Sequence, residues 1–516
     1  TTFISLPGRY SVLLPNNSST GGVSKKISNP LDRKRLKKLH VAKLFMLGFS
    51  NQAISNILYW VTRKRWLIVA FVISLFLFYI PSPETLTPEG HRTLIIVVIV
   101  LILIMGEAIP LPAVAMLILI LEVILEIDTP NGVATSFMSD AVFFIMGSLM
   151  LAVAIVSQGL DKRLALGIIK MTGNKTWRIA FGFVAISAIL SSFIGEHTVA
   201  AMMLPVALTL VRNTSKDQKV VHRLATLLLF SIAYGCAIGS IGTPSGGGRN
   251  VIMIGYISEF GLGNISYLDW IKYAYPMLLI EIPFAVLILW FTFRPNQTIL
   301  DSAVRKLKVN VTKTGKMTGN QIMSILIFVA VFLGWVFLSP YLGLGIVALI
   351  GVFLYLSFGL IEWKDINRNT NWGVIILFGA AISLGIQMKE TGAAEWVADQ
   401  AIYGMQMIVD DVGFLRWFIS VFLTGILTNI LSNAATVAVL GPVVLNMGGD
   451  PIILGLTTSI ASAFSYLTIV ASPTCMIIHS SGLVKSSDYL KAGWKLFIMS
   501  VFLLFLVSTI YWPMLS

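Results

Sequence analysis

Two short polar runs lie inside long apolar stretches, and their residue types suit the binding of a small charged guest. Residues 195–197 read Gly-Glu-His, and residues 432–434 read Ser-Asn-Ala. When Pro205 and Pro442 are aligned, the two runs fall opposite each other at an offset of 237 positions. Burying a carboxylate or an amide costs free energy unless it finds a partner. The pattern therefore predicts that both runs bind something.

Two further runs, residues 239–250 and 471–475, are rich in small polar residues and proline or glycine. They interrupt apolar stretches that begin near residues 223 and 452, so we expect broken helices there. A helix N-terminus attracts anions, whereas free carbonyl groups with Asn or Ser oxygens coordinate Na⁺. The four runs together predict one site for an anion and Na⁺.

Composition places these runs in a membrane. Of 516 residues, 56% are hydrophobic and 12% are charged, and the mean hydropathy is +0.85. A soluble fold of this length needs more charge on its surface, and lipid satisfies no backbone group, so the spans must be helices. We predict an all-α polytopic membrane protein. The two cysteines, Cys236 and Cys475, exclude a disulfide framework and a Cys-based zinc site.

About eleven apolar segments are long enough to cross a hydrocarbon core as helices. The predicted spans are 66–81, 92–107, 111–127, 141–158, 223–242, 267–293, 320–338, 344–361, 372–388, 452–471 and 489–512. The polar runs at 195–197 and 432–434 lie in two further segments, 176–211 and 412–446. We expect each of these to be a re-entrant helical hairpin that enters and leaves the membrane on one side.

The charge distribution predicts the orientation. The net charge is +13, and a basic run precedes the first span, so the N-terminus is expected in the cytoplasm against anionic lipid headgroups. Basic residues flank segment 176–211 and acidic residues flank 412–446, so the first hairpin opens inward and the second outward. The C-terminus then lies outside the plasma (inner) membrane. No nucleic-acid motif accompanies the charge.

The two halves of the chain correspond. A duplicated unit covers roughly 141–255 and 372–482, and the opposite hairpin orientations make it an inverted repeat, an architecture used for alternating access. The expected parts are a basic N-terminal region with an interfacial helix (1–65), a first scaffold part (66–140), a first transport repeat (141–266), a second scaffold part (267–371), a second transport repeat (372–486) and a last transmembrane helix (487–516).

The run 432–436 with Pro442, the matching run 198–205 and the loop 242–250 resemble the divalent anion/sodium symporter family, over about residues 90–512. The resemblance implies homodimers with a transport domain that moves like an elevator. It also implies a Ser-Asn-Thr triplet at each hairpin tip that binds carboxylate or sulfate oxygens beside two Na⁺ ions. This sequence departs from that pattern at 195–197, and it has Gly-Gly-Arg-Asn at 247–250.

Site residues follow from these matches. The expected substrate ligands are His197, Thr198, Ser432, Asn433, Ala434, Arg249 and Thr474. The expected ligands of the coupling cation, Na⁺ or H⁺, are Ser191, Glu196, Gly242, Asn250, Thr428, Asn433 and Ser472. No cofactor and no metal beyond Na⁺ is expected. The expected partners are the anion, Na⁺, the lipid bilayer and a second copy of the chain.

Glu196 is the most informative departure from the family pattern. An ionised carboxylate at mid-membrane costs several kcal/mol unless it is neutralised. We hypothesise that a Glu196–Arg249 ion pair replaces one bound Na⁺, while His197 replaces Thr as a donor to the substrate. The open alternatives are that Glu196 binds Na⁺, that Glu196 or His197 takes up a proton, or that both residues only cap the hairpin.

The sequence therefore predicts a secondary active transporter, not an enzyme. Its substrate would be a dicarboxylate or a sulfate-like oxyanion, coupled to Na⁺. A proton-coupled or exchange-type carrier using Glu196 and His197, or an anion channel, remains the alternative. A hydrolase built on these two residues lacks a His-Glu-x-x-His or Gly-x-Ser-x-Gly context. Glu107, Glu122 and Glu281 lie near span ends and are expected at the membrane interface.

Overall fold

A computed structural model describes residues 64–160, 163, 172–212, 214, 217–295, 297, 299–301, 304–305, 316–407 and 409–515. Its helices confirm the predicted all-α fold, and nine helices within these ranges are long and apolar enough to cross a membrane. The predicted interfacial helix at 41–60 and the rest of the N-terminal region before residue 64 lie outside the described residues.

The chain before the first polar run forms five helices. They are α1 (Arg65–Tyr79), α2 (Pro88–Met105), α3 (Leu111–Ile124), α4 (Pro130–Phe137) and α5 (Asp140–Ser157). Two of them begin with a Thr-Pro pair, in which the hydroxyl of Thr87 or Thr129 accepts from a backbone N–H two residues beyond the proline. Proline fits the first turn of a helix because that turn needs no N–H donor there. These caps fix where α2 and α4 start.

The segment predicted as the first transport repeat continues as α6 (Thr176–Ile194), α7 (Glu196–Arg212), α8 (Gln218–Gly239) and α9 (Gly248–Glu259). Helices α6 and α7 are separated by the single residue Gly195, which has φ +81° and ψ 143°. Residues with a side chain rarely adopt this backbone conformation, so glycine permits the break. Helix α8 stops at Gly239, as the polar run 239–250 predicts.

The described residues of the predicted second scaffold part form α10 (Tyr267–Phe293), α11 (Gly319–Phe337), α12 (Ser339–Ser357) and α13 (Trp363–Asn369). Helix α12 is kinked at Gly343, where φ is +77°. The Asp140 carboxylate accepts from the backbone N–H groups of Leu344 and Gly345 at 3.0 Å each, so it caps the helix that resumes after the kink. Gly147 then lets α5 approach α12, because a Cβ there would lie 2.6 Å from that of Ala348.

The segment predicted as the second transport repeat forms six helices: α14 (Trp372–Glu390), α15 (Ala393–Gln406), α16 (Val412–Leu427), α17 (Asn433–Leu445), α18 (Pro451–Ala461) and α19 (Pro473–His479). Helix α20 (Ser486–Leu506) follows it. Helix α16 is π-helical over Phe418–Leu423. Helix α18 ends at Ala461, so the predicted span 452–471 is wrong in its second half. The break begins about ten residues earlier than the run 471–475 indicates.

The two predicted repeats pack crosswise. Helix α7 of the first predicted hairpin packs against α19, and α17 of the second predicted hairpin packs against α9, so each pair of helices contacts the broken helix in the other half of the chain. Within the first repeat, Gly239 lets α8 meet α6, since a Cβ there would lie 2.0 Å from the Ala188 carbonyl oxygen. The four predicted polar runs thus come together at the centre of the packing.

Two glutamates correct the sequence analysis. Glu122 in α3 and Glu281 in α10 are fully buried rather than interfacial. Glu122 accepts from Ser383 at 2.8 Å, and Glu281 accepts from the hydroxyls of Tyr466 and Ser500. The sequence analysis missed these partners because the hydropathy of a segment does not show which face of the helix packs against other helices. Glu107, in contrast, is exposed in a turn with φ +46°.

Candidate functional site

The tips of the two helical pairs meet through a side-chain hydrogen bond. The Asn433 Nδ2 atom donates to Glu196 Oε1 at 3.3 Å, and both side chains are more than nine-tenths buried. Each of the two residues is the first of its helix, α17 and α7, so each side chain lies at a helix N-terminus. Helix N-termini carry partial positive charge and unpaired N–H groups, which stabilise negative charge. Residues that the sequence placed opposite each other thus form one buried contact.

Asn433 is held from the other side by Thr428. The Thr428 hydroxyl lies 3.0 Å from Asn433 Oδ1 and 2.7 Å from the Ser462 carbonyl oxygen. One hydroxyl hydrogen cannot fully serve two acceptors, so one of these oxygens retains acceptor capacity. Asn429 fixes the irregular segment after α18, because its amide donates to the Phe464 carbonyl and its Oδ1 accepts from the Leu467 N–H.

The loop between α8 and α9 is organised by Asn250. Its Nδ2 atom donates to the carbonyl oxygens of Ser240 and Thr243 at 2.8 Å each, and its Oδ1 accepts from Ser459 at 3.0 Å. Asn250 is fully buried, and all of its polar atoms have partners. Since Ser459 belongs to α18, Asn250 also ties the first broken helix to the second.

Arg249 is buried beside this loop, with 2% of its surface exposed. Its Nη2 atom donates to the Ser240 hydroxyl at 2.5 Å. The glycines before it give it room, because a Cβ at Gly247 would lie 2.9 Å from Arg249 Nη1 and one at Gly248 would lie 2.2 Å from the Phe378 ring. The glycine run thus allows a guanidinium to enter the protein interior.

Glu196 and Arg249 form no direct ion pair within 4.0 Å in the described structure, so the direct bridge expected from the sequence is not formed. Their charges are nevertheless close enough to interact, and the Ser240 hydroxyl lies near both. Among the described atoms, Glu196 Oε2 and Arg249 Nε are buried without a hydrogen-bond partner. These two unpartnered atoms, an acceptor and a donor, belong to groups of opposite charge.

The other predicted residues lie around this contact. Ser191 is buried and donates to the Cys236 carbonyl at 2.9 Å. Gly242 lies in the loop after α8, close to Ser192. Ser472 caps α19 by accepting from the Thr474 N–H at 3.1 Å, and the buried Thr474 hydroxyl has no partner among the described residues.

Four predicted substrate ligands lie at the helix starts. His197 and Thr198 in the first turn of α7, and Ser432 and Ala434 beside Asn433, are half-buried. Ser432 is the N-cap of α17, where its hydroxyl accepts from the Ala435 N–H at 3.3 Å. This bond satisfies one of the N–H groups at the helix start, so the remaining ones are available to a guest.

The two halves of the chain contribute oxygen atoms with different surroundings to the site. Around Thr428, Asn433 and Ser462 the groups are neutral oxygens, which are the ligands that hard cations prefer. In the first half, Arg249 and Asn250 already donate to the loop oxygens of Ser240 and Thr243. The described groups of the second half are thus neutral oxygens, whereas a guanidinium is present in the first half.

Four residues of this arrangement were not singled out from the sequence as site residues: Ser240, Asn429, Ser459 and Ser462. Ser240 lies in the polar run 239–250, and Asn429 lies among the polar residues at the tip of the predicted hairpin segment 412–446, so the position of each was a usable signal. Ser459 and the Ser462 carbonyl lie in the apolar stretch before 471–475, and no local pattern marks them.

Comparison with known proteins gives consistent matches. The family described as "Sodium:sulfate symporter transmembrane region" matches residues 62–516. A second match, to the "Ribonuclease E/G family", covers residues 5–49, which the structure does not describe. An "Uncharacterized transporter" of Haemophilus influenzae is 28% identical over 76% of this chain and 85% of its own length.

Two relatives have named activities. A "Sodium-dependent dicarboxylate transporter SdcS" of Staphylococcus saprophyticus is 26% identical over 90% of this chain and 94% of its own length. A "Sodium-dependent high-affinity dicarboxylate transporter 3" of Caenorhabditis elegans is 26% identical over 70% of this chain and 73% of its own length. Among solved structures, Neisseria gonorrhoeae MtrF is similar with a TM-score of 0.51 and 9% identity, covering 88% of this chain and 94% of that one. The last similarity concerns the fold alone.

Proposed function

Because the chain belongs to the sodium:sulfate symporter family, we propose that it is a secondary active transporter that carries a small anion, a dicarboxylate or a sulfate-like oxyanion, coupled to Na⁺. The observation that supports this most is the buried contact of Glu196 with Asn433, at which two helix N-termini meet between two broken helices. Two relatives carry the name of sodium-dependent dicarboxylate transporters.

In this proposal the anion binds at the starts of α7 and α17. His197, Thr198 and the backbone N–H groups beside Asn433 would donate to its oxygens, and Arg249 would supply positive charge. Ser432, Ala434 and Thr474 would complete the walls. Opposite charges attract strongly where water is excluded, so a buried guanidinium favours a bound anion.

The coupling Na⁺ would be held by Thr428, Asn433 Oδ1 and the Ser462 carbonyl, with Ser472 nearby in the sequence. It would supply positive charge beside the anion. In the first half, Ser191, Gly242 and Asn250 remain candidate ligands for a second cation, although Arg249 competes with it for the Ser240 hydroxyl. This competition is the reason to expect fewer than two Na⁺ ions per cycle.

The wider mechanism belongs to the same proposal. Segments 176–211 and 412–446 would act as oppositely oriented re-entrant hairpins, and the two transport repeats would move together past the scaffold parts like an elevator. The assembly would be a homodimer in the plasma membrane, with the N-terminus in the cytoplasm and the C-terminus outside.

Reconstitution into liposomes tests the proposal. An inward Na⁺ gradient should drive the accumulation of labelled succinate, sulfate or another small anion above its external concentration, and dissipating the gradient should release it. Uptake that never exceeds equilibrium would contradict secondary active transport and favour a channel. Counterflow of labelled against unlabelled substrate provides the second reading, since a carrier exchanges and a channel does not concentrate.

A proton-coupled or exchange-type carrier is the second candidate, and the unpartnered Glu196 Oε2 atom favours it. Burial without a direct cation partner disfavours the charged form of a carboxyl group, and binding a proton removes that charge. In that case a pH gradient would drive accumulation without Na⁺, and replacing Glu196 by Gln would abolish the effect of the gradient.

A further inference from the structure

The space between the two helix starts already contains a carboxylate of the protein. Glu196 Oε1 accepts from Asn433 Nδ2, which would otherwise be available as a donor to a bound anion. In the second half the equivalent position is the neutral Asn433. The protein therefore supplies one negative group at the place where two neutral amides would leave room for a guest anion.

Two of the unpartnered polar atoms of the site are complementary. Glu196 Oε2 is an acceptor and Arg249 Nε is a donor, and both are buried without a partner among the described atoms. A buried polar atom of a charged group that lacks a partner is costly, so a ligand that satisfies both atoms gains affinity. Such a ligand must carry an anionic acceptor for Arg249 and a hydrogen-bond donor for Glu196.

We infer that Glu196 restricts this site to small ligands with a single anionic group and a hydrogen-bond donor, either a hydroxyl (a monoanion) or an ammonium group (a zwitterion), and that it selects against dianions. The inference rests on the proposed function of the same site, the carriage of a small anionic substrate. It ranks a ligand with one anionic group and a donor above the dicarboxylate or sulfate-like oxyanion named there. A dicarboxylate offers acceptors only, so its second carboxylate would face Glu196, and like charges brought together without water repel strongly. A hydroxy acid or an amino acid places a donor there instead.

Four probes of similar length separate these properties: succinate, 4-hydroxybutyrate, 4-aminobutyrate and butyrate. Their dissociation constants for purified full-length protein would be measured by isothermal titration calorimetry at fixed Na⁺ concentration and pH. We expect the Kd of 4-hydroxybutyrate or 4-aminobutyrate to be at least about tenfold lower than the Kd of succinate. Butyrate should bind more weakly than both, because it leaves Glu196 Oε2 without a donor.

The variant Glu196→Asn places in the first half the residue that the second half carries. It should reverse the order, so that succinate binds more tightly than 4-hydroxybutyrate. Glu196→Gln keeps the side-chain length and should change the ratio in the same direction if the first variant is poorly folded. Glu281→Gln is the matched control, since Glu281 is equally buried but lies on α10 and contacts Tyr466 and Ser500; it should leave the ratio unchanged.

The outcomes are distinct. Succinate binding to the unaltered protein as tightly as 4-hydroxybutyrate overturns the inference and leaves the proposed function in place. A ratio that Glu196→Asn does not change overturns it as well. If neither the unaltered protein nor Glu196→Asn binds any probe, and sulfate also fails, the proposed function and this inference are both overturned.

Discussion

Glu196 and Asn433 are 237 residues apart and are joined by a hydrogen bond of 3.3 Å between Oε1 and Nδ2. The same offset separates Pro205 from Pro442, so the predicted repeat makes these two residues equivalent positions. A pseudo-two-fold axis relating the repeats would therefore run between their side chains. If Glu and Asn are exchanged between these equivalent positions, a contact between one Glu and one Asn is therefore retained.

The first prediction exploits this exchange. Asn433→Glu alone brings two carboxylates together in a buried place and should destabilise the protein by about 3 kcal/mol or more, the cost of an uncompensated buried charge. Adding Glu196→Asn restores one carboxylate facing one amide. Thermal unfolding of both single variants and the double variant should give a favourable coupling free energy of about 1–3 kcal/mol.

The thermodynamic cycle contains its own control. If the two residues do not interact, the effects of the single substitutions add and the coupling free energy is zero. That result would contradict the contact. Glu at position 433 is one methylene longer than Asn, so its oxygens do not take the place of the Oδ1 atom that accepts from Thr428. Thr428→Val in the unaltered background therefore measures how much of any remaining deficit comes from that bond.

The second prediction concerns Arg249 and the number of Na⁺ ions. If the guanidinium takes the place of one cation, Arg249→Met should leave room for Na⁺ near Ser240 and Asn250, and uptake should depend more steeply on Na⁺ concentration. The expected change is an increase of the Hill coefficient by about one, with weaker substrate binding at low Na⁺. A Hill coefficient already near two in the unaltered protein would contradict the replacement.

Arg249→Lys separates charge from shape. Lysine keeps the positive charge but lacks the planar group of donors that reaches Ser240, so it is not a conservative change at a buried site. We expect it to retain the Na⁺ dependence of the unaltered protein while lowering thermal stability. An identical change in Na⁺ dependence for Met and Lys would mean that the charge of Arg249 is irrelevant.

The sequence predicted the helix breaks and their meeting because breaks depend on local chemistry. Gly195 permits a break and the run 239–250, with its glycines and Pro244, favours one, and the offset to the second half showed which positions correspond. The sequence predicted that Glu196 and Asn433 belong to the same site, but it did not predict the hydrogen bond between them. Patterns of this kind identify where helices are interrupted and which residues occupy equivalent positions in the two predicted repeats.

What the sequence could not predict depends on packing between distant helices. Glu122 and Glu281 lie near span ends in the sequence, yet their partners Ser383 and Ser500 come from other helices, more than 200 residues away. The same holds for Ser459, which binds Asn250 from the opposite repeat. The early end of α18 at Ala461 was missed because Asn429, and not a local proline or glycine, holds the irregular segment that follows.

The third prediction tests Asn250 as the fixing residue of the first loop. Asn250→Ala leaves the carbonyls of Ser240 and Thr243 and the Ser459 hydroxyl without their partner, so it should lower the free energy of unfolding by about 1–3 kcal/mol per unsatisfied buried group. Substrate binding should be lost with it. Asn446→Ala is the matched control, since Asn446 is half-buried and makes one bond, to the Pro442 carbonyl. Equal effects of the two substitutions on binding would contradict the assignment.

The last prediction isolates the backbone of the first tip. At Gly195 a Cβ would meet only the His197 ring, at 3.7 Å, so space does not forbid alanine, but φ of +81° with ψ of 143° does. Gly195→Ala should therefore cost about 1–3 kcal/mol of backbone strain and shift Glu196 away from Asn433, weakening substrate binding. Gly404 lies in the exposed part of α15, where an added Cβ would meet no neighbouring atom within 4 Å. Gly404→Ala should therefore raise the free energy of unfolding by about 0.5–1 kcal/mol through helix propensity. Thermal unfolding and calorimetric binding measure both effects, and a stabilising Gly195→Ala would show that the tip does not require this conformation.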